Sequence, residues 1–468
     1  MDNNLTLLTD LYQLTMMNGY YCCNLKDKTA VFDLFFRAKE QISYAVYAGL
    51  EKVCDYIKNL KFTKDDIEYL KSLKLFDNNF INYLKDFKFS GDIYSVVEGE
   101  IVFPNEPILV VKAPIIQAQL IETAILNIIN HQTLIASKAS RICDAAGSGT
   151  VIEFGLRRAQ GADAGIYGAR AAVIGGAKGT SNVLVGKMFD AKVVGTHGHS
   201  WIMSFDSELE AFRQFAKVYP DSCLLLLDTY DTINSGLKNA ITVFKELRAK
   251  GHKPVGIRLD SGDLAYLSKK AREILDENGF NDAIIFASND IDEHLIEQLK
   301  LQGARIDVYG VGTKLITSSD MPSLGGVYKL SAIENKPVMK FSDSSEKMTN
   351  PGAKNLYRIY EKQNGMAFAD LIALDGEKID KPLTLTHPVE RWKSTVLDDY
   401  EIRPLLQPIF LKGSQVYKVP SLTQSGEYCK AEKTKFWNEY KRLIRPHIYK
   451  VNLSDGLYEL KQELLKSK

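Results

Sequence analysis

The feature that most constrains this chain is a run of alternating strand and helix patterns through its middle. Short apolar runs occur at Val151–Phe154, Lys192–Gly195, Cys223–Leu227, Val255–Leu259, Ala283–Ala287 and Ile306–Tyr309. Helical patterns such as Thr242–Lys250, closed by Gly251, fill most of the gaps. Several intervals are roughly thirty residues, the period of βα units, so the pattern predicts a parallel sheet or barrel. Each run ends in a polar cluster: GLRRAQG, THGHS, DTYDT, DSGDL, SND and GVGTK. Loops that follow parallel strands meet at one face of a barrel, so these clusters predict one convergent polar site.

Helix capping competes with that reading. Asp228, Asp260 and Ser288 each stand where a side chain caps a following helix. Capping does not account for Arg157, His199 or Arg258. Asp228, Asp231, Asp260 and Asp263 supply carboxylates suited to a Mg²⁺ that keeps waters and bridges to phosphate. Arg157, Arg158 and Arg258 suit bidentate contact with an anion. GVGT (Gly310–Thr313) and LGGVYK (Leu324–Lys329) offer backbone N–H groups for phosphate, or else mark turns that need positive φ. No GxGxxG dinucleotide fingerprint is present there. His197 and His199 admit a metal-hydrolase reading, but His252, His294, His387 and His447 fall outside the strand ends that would complete the ligand set. His199 is left as acid, base or nucleophile, and His197 as a structural histidine.

The flanks differ from the middle. Leu11–Tyr21 reads as a helix, Thr29–Phe36 as a strand, Tyr44–Phe89 as helical, Gly91–Val111 as a small antiparallel sheet and Gln117–Ala136 as a buried helix. Past Leu330, strands are expected at Val338–Phe341, Leu356–Glu361 and Met366–Ala373, the last two around a Gln363-Asn364-Gly365 turn, with a helix at Lys430–Ile444. Three segments follow: 1–140, 141–330 and 331–468. With 59 Lys plus Arg against 58 Asp plus Glu, the net charge is +1, which argues against nucleic acid as a partner. The apolar stretch Ala113–Ala136 is broken by Gln117, Gln119, Glu122, Asn127, Asn130 and His131, too polar to span a membrane. Six cysteines without a CxxC pair, and an N-terminus unlike a signal peptide, point to a cytoplasmic protein.

On these residues the chain closely resembles the nicotinate phosphoribosyltransferases. The stretches that carry the resemblance are TDLYQLTM (Thr9–Met16), FDLFFR (Phe32–Arg37), EFGLRRAQG (Glu153–Gly161), GTHGHS (Gly195–Ser200), LLDTYDT (Leu226–Thr232), GIRLDSGDL (Gly256–Leu264), SNDIDE (Ser288–Glu293), GVGT and SLGGVYKL (Ser323–Leu330). The resemblance implies a type II phosphoribosyltransferase fold, an incomplete βα barrel packed on an α/β sandwich domain. It implies a homodimer with shared sites and transfer of phosphoribose from phosphoribosyl pyrophosphate to nicotinate in NAD biosynthesis, with Mg²⁺ as cofactor and ATP as co-substrate.

Carried over by position, Tyr12 of the neighbouring subunit and Phe154 would sandwich the pyridine ring, while Arg258 and Thr196 would hold the carboxylate. Arg157 would contact the phosphoribosyl donor, and Asp260 the ribose. Asp228, with Asp260, would favour Mg²⁺. Gly312, Thr313, Gly325 and Gly326 would cradle the 5′-phosphate, and Asn289 would join the substrate-binding set. His199 would be the transiently phosphorylated histidine. Gly198 stands where the family commonly has Ala. The rival readings are a nicotinamide- or quinolinate-type phosphoribosyltransferase, a non-catalytic pyridine-sensing homologue and a metal-dependent barrel hydrolase.

Overall fold

The computed structural model describes residues 4–37, 43–342, 347–388 and 390–467. The chain divides into two units, 135–322 and 1–134 with 323–468.

In the first unit, five strands form a parallel sheet. Its order is Thr150–Glu153, Val308–Val311, Ile284–Ala287, Gly256–Leu259 and Leu224–Leu226. Ile152, Leu224 and Phe286 are buried in one cluster, with Phe154, Val194, Val255, Ile284 and Val308 packed against them. Helices Lys238–Ala249, Leu264–Glu277 and Glu293–Leu301 connect the strands. Leu264, Ala265, Ser268, Ala271 and Leu275 form the buried stripe of the second, at the three-to-four-residue spacing that puts side chains on one face.

The run expected as a strand at Lys192–Gly195 is not one. Single parallel bridges join Glu153 to Thr180 and Thr180 to Val193. At the other edge, Thr196 Oγ1 donates to the Leu224 carbonyl at 2.5 Å, and Leu226 N–H donates to His197 Nε2 at 3.3 Å. Residues 193–197 thus join both edges of the sheet. Side chains take the place of a backbone ladder, and the barrel is correspondingly incomplete.

In the second unit, Thr29–Phe36 lies antiparallel between Gly326–Ile333 and Leu109–Pro114, and Asp92–Ser95 extends the same sheet. The Lys354–Glu361 and Ala367–Leu374 hairpin pairs with Tyr400–Pro404 and Val451–Leu453 in another. Three expectations are corrected here. Val338–Phe341 is not a strand, since pairing stops at Lys336–Pro337. The helix expected over Lys430–Ile444 is broken: Leu422–Thr434 starts earlier, held by a Ser421/Gln424 capping box, and a short turn Asn438–Lys441 follows. The break lets Phe436 turn inward, where it is buried against Phe103 and Tyr449 at 5.5 and 5.4 Å. Burying that ring outweighs continuing one helix. The helix expected at Gln117–Ala136 is two, Ile115–Leu120 and Glu122–Ala146. Among the described residues, no helix is long and apolar enough to cross a membrane.

Candidate active site

Because the five strands are parallel, their C-terminal ends share one side of the barrel unit. Each brings one or two polar groups there. The competition between capping and site duty is resolved by position. Asp231, Asp263 and Asp292 are the caps: their carboxylates accept from the N–H groups of Ile233 and Asn234, of Tyr266 and of Leu295, at 2.7–3.0 Å. Asp228 and Asp260, three residues ahead of the first two caps, are therefore free for other work.

Arg258, at the end of its strand, donates from Nη2 to Asp260 Oδ1 at 2.8 Å and from Nε to Ser288 Oγ at 3.0 Å. Ser288 Oγ also donates to Asp260 Oδ1. Burial pushes the Asp260 carboxyl up, but Ser288, Arg258 and His199 together outweigh it and hold the group below the usual aspartate range. Asp260 Oδ2 faces His199 Nε2 at 3.8 Å, and His199 Nδ1 lies 3.2 Å from the Thr229 hydroxyl. Asp228 Oδ2 accepts from Asp260 N–H at 3.2 Å and from Ser261 Oγ, while its Oδ1 is buried with no protein partner among the described residues.

The aromatic floor comes from the two strands that flank Val308–Val311. Phe154 stacks on Phe286 with centroids 5.4 Å apart and ring planes 15° from parallel, and the Arg258 guanidinium carbon lies 5.6 Å from the Phe154 centroid. Gly310 makes room for them, because a Cβ there would stand 2.6 Å from Phe286 and 2.8 Å from Phe154. Its φ is not positive, so close approach and not turn geometry is what requires glycine. Glu153 is fully buried and pins the turn after Phe154, accepting from Gly155 N–H and, through Oε2, from Thr180 Oγ1.

The two histidines of THGHS separate cleanly. His197 is 8% exposed, packed edge-on to Phe215 at 4.6 Å, and burial pushes its pKa down to about 4. It is a neutral structural residue. His199 opens the helix His199–Met203 with 42% of its side chain exposed.

The remaining expected residues fall as follows. Thr196 stands near the site with its hydroxyl spent on the barrel edge. Arg157 is exposed on the turn Leu156–Arg158. Asn289 is exposed in the left-handed region at φ +94, followed by Asp290 at +43, a strained pair at a strand end. Gly312 precedes the short helix Thr313–Ile316 that Thr313 opens. Tyr12, Gly325 and Gly326 belong to the other unit. Tyr12 is half exposed on the first turn of the helix Leu11–Cys22, Gly325 has φ +80, and Gly326 N–H donates to Asn130 Oδ1 at 2.9 Å. Ser288, Thr229, Ser261, Phe286 and Glu153 are the site-supporting residues to which the sequence reading gave no such role. The signal for Asp260 over Asp263 was the spacing itself, since the acid three residues nearer the helix takes the cap.

No group of three or more His, Cys, Asp or Glu that could hold a metal occurs among the described residues. A cation here would rest on one or two carboxylates, with substrate oxygens and waters in its other positions, which is how Mg²⁺ is usually held. The unpartnered Asp228 Oδ1 fits that arrangement.

Three family models match in sequence: the nicotinate phosphoribosyltransferase N-terminal domain over residues 7–130, the family model over 150–375 and the C-terminal domain over 353–461. The nicotinate phosphoribosyltransferase of Bacillus subtilis is 48% identical, covering 99% of this chain and 95% of its own length. That of Homo sapiens is 30% identical over 98% and 96%. The crystal structure of human nicotinic acid phosphoribosyltransferase superposes with a TM-score of 0.87 at 28% identity, over 97% of this chain and 99% of that one. A nicotinate-nucleotide pyrophosphorylase from Pyrococcus furiosus shares the fold at a TM-score of 0.72 and 24% identity. By its sequence along its whole length and by its fold, the chain belongs to the nicotinate phosphoribosyltransferase family.

Proposed function

We propose that this chain joins nicotinate to phosphoribosyl pyrophosphate, releasing pyrophosphate and nicotinate mononucleotide, in a reaction coupled to ATP hydrolysis and feeding NAD biosynthesis. The observation that carries this reading is the pairing of Arg258 with the Phe154 ring: a cation at the rim of an aromatic floor suits a flat ring bearing a carboxylate. Nicotinamide lacks the charge that Arg258 would meet, and quinolinate carries a second carboxylate, so this geometry favours nicotinate.

The pyridine nitrogen attacks ribose C1, the C1–pyrophosphate bond breaks and the new C1–N bond forms. The ionised Asp260 stands where it can hydrogen-bond the ribose and favour positive charge developing at C1. Asp228 and Asp260 are the residues that would hold Mg²⁺, and the cation, when bound, supplies charge neutralisation for the departing pyrophosphate. Arg157 faces the donor, and Asn289, Gly312 and Thr313 line its phosphoribosyl end. In the coupled half of the cycle, a ring nitrogen of His199 attacks the γ-phosphorus of ATP, the bond to the β-phosphate oxygen breaks and ADP leaves, and water later takes the phosphoryl group from the histidine as phosphate. Its exposure and its contacts with Thr229 and Asp260 support that role, since an accessible, oriented imidazole is a better nucleophile than the buried His197.

The second subunit enters through Tyr12, whose exposed ring at the start of its helix would cover the pyridine in a partner's barrel. Leu8, Leu11 and Met16 are also exposed nearby and would be covered in such a dimer. Gly325 and Gly326 are assigned to the 5′-phosphate.

Product formation with and without ATP, from nicotinate and in parallel from nicotinamide, tests the reading. Nicotinate mononucleotide alone, in higher yield with ATP, is the expected result; equal use of nicotinamide would remove the role given to Arg258. His199→Ala is expected to abolish ATP hydrolysis while leaving slow uncoupled transfer, and undiminished hydrolysis would overturn its assignment.

A further inference from the structure

We infer that Ser288 sets the selectivity for an acid over its amide, acting as a positioning residue through Arg258. The inference rests on the assignment of Arg258 to the nicotinate carboxylate. A guanidinium has two edges that can meet a carboxylate in parallel: the side edge, Nε with one Nη2 hydrogen, and the end edge, Nη1 with the other. In this structure the side edge is filled from the protein, by Ser288 Oγ on Nε at 3.0 Å and Asp260 Oδ1 on Nη2 at 2.8 Å. Nη1 makes no hydrogen bond to protein among the described residues. The end edge is therefore what remains for a ligand, and the Phe154 ring lies beside that guanidinium.

Ser288 is suited to this task because its single hydroxyl proton is already committed. It donates to Asp260 Oδ1, so the oxygen is available to accept from Arg258 Nε. The three side chains close one ring of hydrogen bonds across two neighbouring strand ends. Ser288 itself is 4% exposed, and its N–H donates to the Leu259 carbonyl at 2.9 Å, so it has little freedom to follow a moving arginine. The left-handed residues Asn289 and Asp290 that follow hold the backbone in a conformation non-glycine residues rarely adopt.

Without the hydroxyl, Nε loses its partner, and the guanidinium can rotate to face both oxygens of Asp260 side-on. That rotation withdraws the end edge from the ligand. An acid acceptor loses its charge contact, whereas an amide acceptor never had it. Selectivity falls because the better acceptor becomes worse; Asp260 loses one hydrogen bond in the exchange but keeps Arg258, so the effect on the donor is the smaller of the two.

The test is steady-state kinetics of Ser288→Ala, Ser288→Cys and Ser288→Thr beside Arg258→Ala, with nicotinate, nicotinamide and phosphoribosyl pyrophosphate varied in turn. Ser288→Ala and Ser288→Cys are expected to raise KM for nicotinate about 10-fold or more, with kcat and KM for the donor each changed less than about 3-fold. The nicotinate-to-nicotinamide ratio should narrow by the same factor, and Ser288→Thr should recover most of it. Cysteine preserves the packing if alanine leaves the protein unstable, and a melting curve of each variant separates unfolding from altered binding. A nicotinate KM that Arg258→Ala raises but Ser288→Ala and Ser288→Cys leave alone would overturn the inference while sparing the assignment of Arg258. A KM unmoved by Arg258→Ala would sink that assignment itself. Parallel rises in KM for nicotinate and donor would make Ser288 a general structural residue, against the inference.

Discussion

Two arginines of this molecule are each paired with an aspartate, and their donors are used differently. Arg358, in the unit of residues 1–134 and 323–468, is wholly buried. It meets both oxygens of Asp370 at 2.9 and 2.6 Å, Glu100 at 2.5 Å and the Ile101 carbonyl at 2.7 Å. Tyr449 adds a bond to Asp370. Arg258, in the barrel unit, meets one oxygen of Asp260 and a serine, and its Nη1 makes no hydrogen bond to protein among the described residues. A guanidinium with nitrogens on both edges engaged by protein is spent on the fold. One with an edge left open, beside an aromatic ring and a histidine, is available for a ligand. Saturation of the donors marks Arg358 as structural and leaves Arg258 able to take the ligand role proposed above.

The largest test of that contrast is stability. Arg358→Met should cost about 3–5 kcal/mol, because it strands Asp370 and Glu100 in a buried setting. Arg258→Ala should cost about 1 kcal/mol or less, since Asp260 keeps some solvent contact. Denaturant unfolding of the two variants side by side checks this, and equal losses would break the comparison.

The next test uses the two histidines. His197 is held neutral by burial, with a folded pKa of about 4 against about 6.5 unfolded. The unfolded chain therefore binds more protons between those values. The stability this histidine supports is fully present above about pH 6.5 and is lost as the pH falls toward 4, a change of roughly 3 kcal/mol. Replacing His197 with Asn should flatten the stability–pH curve in that window. The sign is the same for Asp260, whose lowered pKa gives stability present above about pH 4 and lost below it.

A smaller effect belongs to acceptor binding. Arg258→Ala should lower kcat/KM for nicotinate by roughly 10–150-fold, the worth of hydrogen bonds to a charged group. Arg358→Met should show no specific loss in the fraction that remains folded.

The smallest effect separates the caps from the site. Asp263→Ala should cost about 1 kcal/mol of stability with little change in turnover, because Asp263 accepts from Tyr266 N–H at a helix start. Asp260→Asn should do the reverse. If both variants lost activity equally, the division of labour between the two acids would be wrong.

The sequence by itself determined a great deal here. Apolar runs at the βα period located the five strands of the barrel unit to within a residue or two, because a buried parallel strand must be apolar on both faces. The same reading put the polar clusters at the strand ends, and the family resemblance pointed to His199 and not His197 as the phosphorylated histidine. Tertiary structure decided the rest, wherever one local pattern serves two ends. An Asp after a strand can cap a helix or face a ligand, and only the position of the helix start assigned Asp231 and Asp263 to the first role and released Asp228 and Asp260. Thr196 and His197 sit in a polar cluster whose sequence does not show that both bond the barrel edge where no backbone ladder forms. Phe436 continues a helical pattern, but burial against Phe103 and Tyr449 turns it out of the helix. In each case the local preference is worth about a kilocalorie or less, and contacts between distant segments, invisible to periodicity, are worth more.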